Sequence, residues 1–190
     1  MVAVRTSYEK HANAVYFTTF TCFDWLPLFD LTDTYDSVYK WFDRLRELDI
    51  RVAGYVIMPN HLHLLLCFAD ARQSLNAVIS NGKRFLAYEI IKRLESAGRE
   101  EVLLYLEEAV TRREKRKGQK HKVFNESFDA KECVSKAFCY QKLDYIHFNP
   151  VRNKWNLAQD YTRYRHSSAG FYEYHSSIYQ GLIHINEVIC

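Results

Sequence analysis

The chain has 190 residues, a length that suits one domain with a proper core and is short for two. Hydrophobic residues at 48% and charged residues at 26% argue against disorder and membrane residence, and no run approaches the ~18 consecutive apolar residues of a membrane span. A net charge of +3 permits a nucleic-acid partner without demanding one. The five cysteines (Cys22, Cys67, Cys133, Cys139, Cys190) are odd in number and never spaced CxxC, so neither a disulfide framework nor a zinc ribbon is expected. Residues 1–10 are polar and charged where a signal peptide needs an apolar run, and the expected compartment is the cytoplasm.

In chain order, Ala14-Val15-Tyr16-Phe17-Thr18-Thr19-Phe20-Thr21 is β-branched or aromatic at nearly every position and predicts the first strand, ending toward Pro27. Asp33 or Thr34 is placed to cap a helix whose residues Tyr35, Val38, Tyr39, Phe42, Leu45 and Leu48 recur at helical spacing. A strand over residues 50–58 follows. Pro59-Asn60 is a turn-forming pair between two apolar runs, which makes residues 55–68 a hairpin whose second strand begins at or beside His61. Side chains alternate along a strand, so His61 and His63 share a face with Leu65, while Leu62, Leu64, Leu66 and Phe68 make the core face. Two neighbouring imidazoles are either a metal-binding pair or two half-exposed histidines at a strand end, and a third ligand decides between them.

Leu75, Val78, Ile79, Leu86, Ile90 and Leu94 form a helical stripe over residues 74–94, with a weak point or kink expected at Gly82. The helical pattern resumes over residues 101–113. Arg112-Arg113-Glu114-Lys115-Arg116-Lys117-Gly118-Gln119-Lys120-His121-Lys122 carries seven basic side chains against one acid, as either a solvated linker or a phosphate-contact surface. Val123-Phe124 is expected as a short strand leading to Asp129, Lys131 and a helix from about Cys133 to Phe148, which Asn149-Pro150 ends or bends. The order strand, helix, strand, strand, helix, short strand, helix predicts an α+β domain with a ferredoxin-like antiparallel sheet, helices on one face and an open working face. It is expected to be a single domain over residues 1–190, with a core of about 10–155 and a C-terminal tail of 156–190.

Leu143-Asp144-Tyr145-Ile146-His147-Phe148-Asn149-Pro150-Val151 is the second dense patch of chemistry. On a helix Tyr145 and Asn149 share a face while His147 points elsewhere, an arrangement that also suits a buried tyrosine with Asn149 capping carbonyls. Together with Met58-Pro59-Asn60-His61-Leu62-His63 and Lys83, however, this segment resembles the single-tyrosine HUH transposases, in particular the REP-associated tyrosine transposases. The similarity extends through residues 75–91 and into the tail at 160–169. Departures are Gly82, where an aromatic is common before Lys83, and Arg152-Asn153-Lys154-Trp155, which lacks the usual Gly-Leu; both bear on substrate grip.

The resemblance implies metal-dependent transesterification on single-stranded DNA. Tyr145 would be the nucleophile, forming a 5′-phosphotyrosine link and a free 3′-hydroxyl, and His61, His63 and Asn149 would hold Mg²⁺ or Mn²⁺. A phenol of pKa ~10 is ionised to about one part in a thousand at pH 7, so its phenolate costs roughly 4 kcal/mol to form, and a metal acting on the phosphate offsets a barrier of that size. The implied partner is single-stranded or hairpin-forming repeat (REP) DNA, with no membrane and a monomer or homodimer as the working unit. Lys83, Arg112, Arg113, Lys115, Arg116 and Lys117 are candidates for phosphate contact, and Arg163, Arg165, Tyr161, Tyr164 and His166 for gripping or stacking on bases. The alternative is a catalytically silent DNA-binding protein of the same fold; the joint presence of Tyr145, His61, His63 and Asn149 argues against it, since a binder needs none of them.

Overall fold

The computed structural model describes residues 12–152 and 155–188, so the expectations drawn on residues 1–10 and on Cys190 lie outside the described residues. Its elements are β1 (Ala14–Thr21), α1 (Leu28–Leu31), α2 (Tyr35–Glu47), β2 (Ile50–Ile57), β3 (His61–Phe68), α3 (Leu75–Ser96), α4 (Glu100–Glu108), α5 (Arg112–Lys115), β4 (Asp129–Glu132), α6 (Lys136–Phe148) and α7 (Ala169–Tyr174). The four strands form one sheet in the order β2-β3-β1-β4 with every neighbouring pair antiparallel, which is the ferredoxin-like order. Met58 N donates to the His61 carbonyl at 2.9 Å, closing the hairpin around Pro59-Asn60 as its turn chemistry predicts.

One face of the sheet carries Leu62, Leu64, Leu66 and Phe68 against Val38, Phe42 and Leu45 of α2 and Val78, Ile79, Leu86 and Ile90 of α3. The opposite face, expected to be open, is also covered: Val15, Phe17, Leu65 and Cys67 pack against Cys139, Leu143 and Ile146 of α6. The reason lies in β3 itself. Alternation of polar and apolar residues stops after His63, so Leu65 and Cys67 on the histidine face need an apolar roof. That roof comes close because Gly54 has no side chain, and a Cβ there would lie 2.5 Å from Leu143 Cδ2. Helix α6 therefore runs low over β2 and β3, toward the end where the histidines sit.

Gly82 does not kink α3, which runs unbroken behind Ser74, whose Oγ accepts from Ala77 N at 3.2 Å. Its role is close approach. A Cβ at Gly82 would lie 2.4 Å from two ring atoms of Trp41, so α2 and α3 touch here without a side chain between them. Gly82→Ala is expected to cost about 1–3 kcal/mol by overpacking, read as a lower urea midpoint; an unchanged midpoint would mean that the two helices separate freely.

Three elements differ from the sequence expectation. Residues 101–113 are two helices, because Thr111 Oγ1 accepts from Glu114 N while the Glu114 side chain accepts from Thr111 N, and this capping box starts α5 afresh. Phe124 makes only an isolated bridge to Cys22, and the short strand is β4, paired with residues 16–19 of β1. The tail covers the edge of β2: Ile57 N donates to the His166 carbonyl (2.8 Å), Ser168 N to that of Tyr55 (2.9 Å) and Ile183 N to that of Val52 (3.2 Å). Among the described residues no helix is long and apolar enough to cross a membrane, and Cys22, Cys67, Cys133 and Cys139 are buried free thiols.

Candidate active site

His61 and His63 open β3, opposite Thr21 and Thr19 of β1, with ring centroids 4.7 Å apart. Their tautomers follow from their partners. Asn60 Nδ2 donates to the Trp25 carbonyl at 2.8 Å, so the Asn60 oxygen faces His61 Nδ1 at 2.7 Å and that nitrogen must carry the proton. His63 Nδ1 lies 2.6 Å from Thr19 Oγ1, and Asn149 Nδ2 lies 3.2 Å from His63 Nε2. An amide N–H can donate only to a lone pair, so His63 too is protonated at Nδ1. His63 thus directs its Nε2 lone pair toward Asn149, and each ring is held by a hydrogen bond on Nδ1 as metal-ligating histidines are on their free nitrogen. Burial pushes His61 down to about 4. It drives His63 well below the ordinary imidazole range, with help from neighbouring His61 and Lys142. Both are neutral at pH 7, the state a metal requires.

Helix α6 is capped by Ser135, whose Oγ accepts from Phe138 N at 3.3 Å, and stops at Phe148. Asn149 keeps helical angles (φ −54, ψ −43) into the single 3-10 turn Asn149–Val151, so its side chain stays on the face that Tyr145 occupies. Asn149 Oδ1 is buried without a hydrogen-bond partner. With its Nδ2 facing His63, the amide leaves Oδ1 unsatisfied; turning the amide half round its last bond would instead present Oδ1 beside the imidazoles, a set of acceptors that suits a cation. Among the described residues no three His, Cys, Asp or Glu side chains cluster as a metal site, and the Asn149 amide meets the histidine pair at His63 Nε2. The residues present fit a divalent ion.

The Tyr145 ring centroid is 5.1 Å from that of His63 and 5.7 Å from that of Phe17, edge to face in both cases, and the residue is 40% exposed. It lines an open cleft of about 340 Å³ with Gln141, Lys142, Asp144 and Arg152. Lys142 Nζ stands 4.9 Å from the centroids of both Phe17 and Phe138 and 6.0 Å from that of Tyr145, while the Arg152 guanidinium lies 5.6 Å from the Phe148 ring. A phenol, two cations and a pair of neutral imidazoles thus share one corner of the sheet. The sequence reading missed Thr19, Asn60, Lys142 and Arg152. Thr19 could have been found only by pairing β1 with β3, whereas Lys142 lies one turn before Tyr145 on the same helix.

The other singled-out residues lie apart from this corner or are engaged in packing. Lys83 Nζ donates to the carbonyls of Asn125 (2.5 Å), Glu126 (3.1 Å) and Ser127 (3.4 Å), which directs it into the protein's own loop rather than toward a phosphate. Arg112, Arg113, Lys115, Arg116 and Lys117 are exposed on and after α5, as are Arg163 and Arg165 in the tail. The tail aromatics pack the tail down. Tyr164 OH donates to the Ile57 carbonyl (2.8 Å), His166 stacks on Tyr35 at 3.8 Å, and Tyr161 packs on Phe148 at 4.2 Å. His147 points away from Tyr145, sharing a 2.9 Å hydrogen bond with Ser168 Oγ.

Burial also pushes His147 and His166 down to about 4. In the unfolded chain a histidine titrates near ~6.5, so the unfolded state takes up these protons first. Their contribution to stability is complete above about pH 6.5 and is lost as pH falls toward about 4, amounting to roughly 3 kcal/mol for His147 alone. The urea midpoint is expected to drop between about pH 7 and about pH 4.5, and an unchanged midpoint would mean these imidazoles protonate without loss inside the fold.

No protein-family model matches the chain, and no curated protein does. Among solved structures it is similar to a REP-associated tyrosine transposase bound to a REP hairpin, with a TM-score of 0.59 and 15% sequence identity over 97% of this chain and 90% of that one. A candidate transposase from Deinococcus radiodurans R1 aligns over 77% of this chain and 93% of that one at 16% identity, with a TM-score of 0.32 that is too low to bear on the fold. At such low identity the first likeness is one of architecture: the chain has the α+β fold of a REP-associated tyrosine transposase.

Proposed function

We propose that the chain is a metal-dependent endonuclease and strand transferase of single-stranded DNA, acting on hairpin-forming repeat DNA through a 5′-phosphotyrosine intermediate. The observation that carries this reading is the buried Asn149 amide, its Oδ1 unsatisfied and its Nδ2 3.2 Å from His63 Nε2, beside two neutral imidazoles and one helical turn from the Tyr145 phenol, which lines a cleft with Lys142 and Arg152. The fold shared with a transposase bound to a REP hairpin supports the choice of substrate.

In this reading the Tyr145 hydroxyl oxygen forms a bond to the scissile phosphorus as the bond to the 3′-oxygen breaks. The products are a 5′-phosphotyrosine and a free 3′-hydroxyl. Attack of another 3′-hydroxyl on the phosphotyrosine reverses the step and joins strands. His61, His63 and Asn149 would hold Mg²⁺ or Mn²⁺, and an ion there would supply Lewis-acid polarisation of the phosphate and stabilise charge on the leaving oxygen. Phe17 and His63 fix the tyrosine ring edgewise, so that the hydroxyl is aimed before substrate arrives. Lys142 and Arg152 draw phosphate oxygens into the cleft. The exposed Arg112, Arg113, Lys115, Arg116 and Lys117, with Arg163 and Arg165, supply sequence-independent phosphate contacts farther out.

End-labelled DNA tests the polarity of the reaction. With Mn²⁺ present, a label at the 3′ end of a single-stranded substrate should stay on the protein through a denaturing gel, and a label at its 5′ end should leave on a shorter strand ending in a 3′-hydroxyl. Retention of neither label by a protein that still binds the DNA would make it a silent binder of the same fold.

A further inference from the structure

Trp25 is 61% exposed, yet its ring stands edge to face with the buried His61 at a centroid distance of 6.0 Å. The turn that presents it is conformationally costly. Asp24 (φ 51) and Trp25 (φ 57) are successive non-glycine residues in the left-handed region, a state that persists only where the surroundings over-determine it. They do so here from both sides: Asn60 Nδ2 donates to the Trp25 carbonyl at 2.8 Å, and Tyr105 OH donates to Asp24 Oδ2 at 2.6 Å. Burial of the indole cannot be what this strain secures, because the hydrophobic effect would turn the ring inward.

The clamp also reaches the candidate active site. The Asn60 amide that holds the turn accepts from His61 Nδ1 at 2.7 Å, so one side chain fixes both a candidate ligand ring and the exposed indole beside it. Just before it in the turn, Phe23 lies 5.5 Å from Lys122 Nζ, and Lys122 pairs with Glu114 of α5 at 3.2 Å. A strand leaving the site over Trp25 would run toward the exposed cations of α5.

We infer that Trp25 is the stacking platform for an unpaired nucleobase next to the phosphate engaged at the His61–His63 site, held in register by Asn60. The inference rests on the DNA reading proposed above. A nucleotide carries a flat π face within a few ångströms of its phosphate, and an exposed indole beside a phosphate site matches that spacing. Stacking accepts every base, so the platform grips single strands without reading their sequence.

The test compares a fluorescent DNA hairpin bearing a short single-stranded flank of thymidines with the same hairpin bearing a flank of abasic spacers. Wild type should bind the thymidine flank about tenfold more tightly, Trp25→Ala should bind both alike, and Trp25→Phe should keep most of the difference. The ratio between the two probes is insensitive to a merely structural role, and equal melting temperatures check the fold. A Trp25→Ala variant that keeps the full ratio overturns the platform, as does a wild type that forms the covalent adduct yet shows no ratio. A wild type that binds neither probe removes the DNA reading itself, and the platform with it.

Discussion

Tyr145→Phe is expected to abolish the covalent protein–DNA adduct, with a loss of about 10⁴-fold or more, while the protein folds and binds hairpin DNA as before. The substitution removes one oxygen from a partly exposed ring. The edge-to-face contacts with Phe17 and His63 that position that ring involve carbon atoms, which phenylalanine keeps. Stability should therefore stay within about 0.5 kcal/mol of wild type. A denaturing gel reads the adduct, and hairpin affinity in the same preparation reads binding. Wild-type adduct yield would move the nucleophile elsewhere on α6. Tyr140 is a poor substitute, because its hydroxyl donates to Asn186 Oδ1 at 2.8 Å.

Asn149→Leu should weaken Mn²⁺ binding by about 10- to 100-fold and stop adduct formation. The fold should tolerate the change. It removes a buried oxygen that has no partner and takes a donor from His63 Nε2, two effects of opposite sign. Calorimetric titration with Mn²⁺ measures the ligand role directly, and EDTA added to wild type should stop cleavage while leaving hairpin binding largely intact. Unchanged Mn²⁺ affinity in the variant would place the ion away from the two histidines. Hairpin affinity that fell as steeply as the adduct would instead make Asn149 a DNA contact.

Local periodicity was enough to place the parts of this site but not to assemble them. Two-residue alternation put His61 and His63 on one face of β3, and four-residue spacing put Tyr145 and Asn149 on one face of α6; the structure brings the two faces together. What no local pattern carries is the contact between distant segments. Thr19 meets His63 across 44 positions of chain, and Asn60 reaches Trp25 across 35. Covering of the histidine face was legible in principle from Leu65 and Cys67, two apolar residues on the face that had been read as open. For Lys83 the sequence offered no sign of the backbone carbonyls of residues 125–127 to which its Nζ donates, since a cation beside a motif says nothing about which oxygens lie near it. Tyrosines that suit base stacking also suit packing, and Tyr164 reaches the edge of β2 at the Ile57 carbonyl while Tyr161 lies on Phe148.

The most direct measurement is the mass of the peptide that carries Tyr145 after wild-type protein has reacted with single-stranded hairpin DNA and Mn²⁺ and the DNA has been trimmed with nuclease. A nucleotide phosphate linked to Tyr145, absent when EDTA replaces the metal, is the expected result. An unmodified Tyr145 peptide alongside a nucleotide on another residue, or an adduct that forms equally well in EDTA, would contradict a metal-assisted tyrosine site built from β3 and α6.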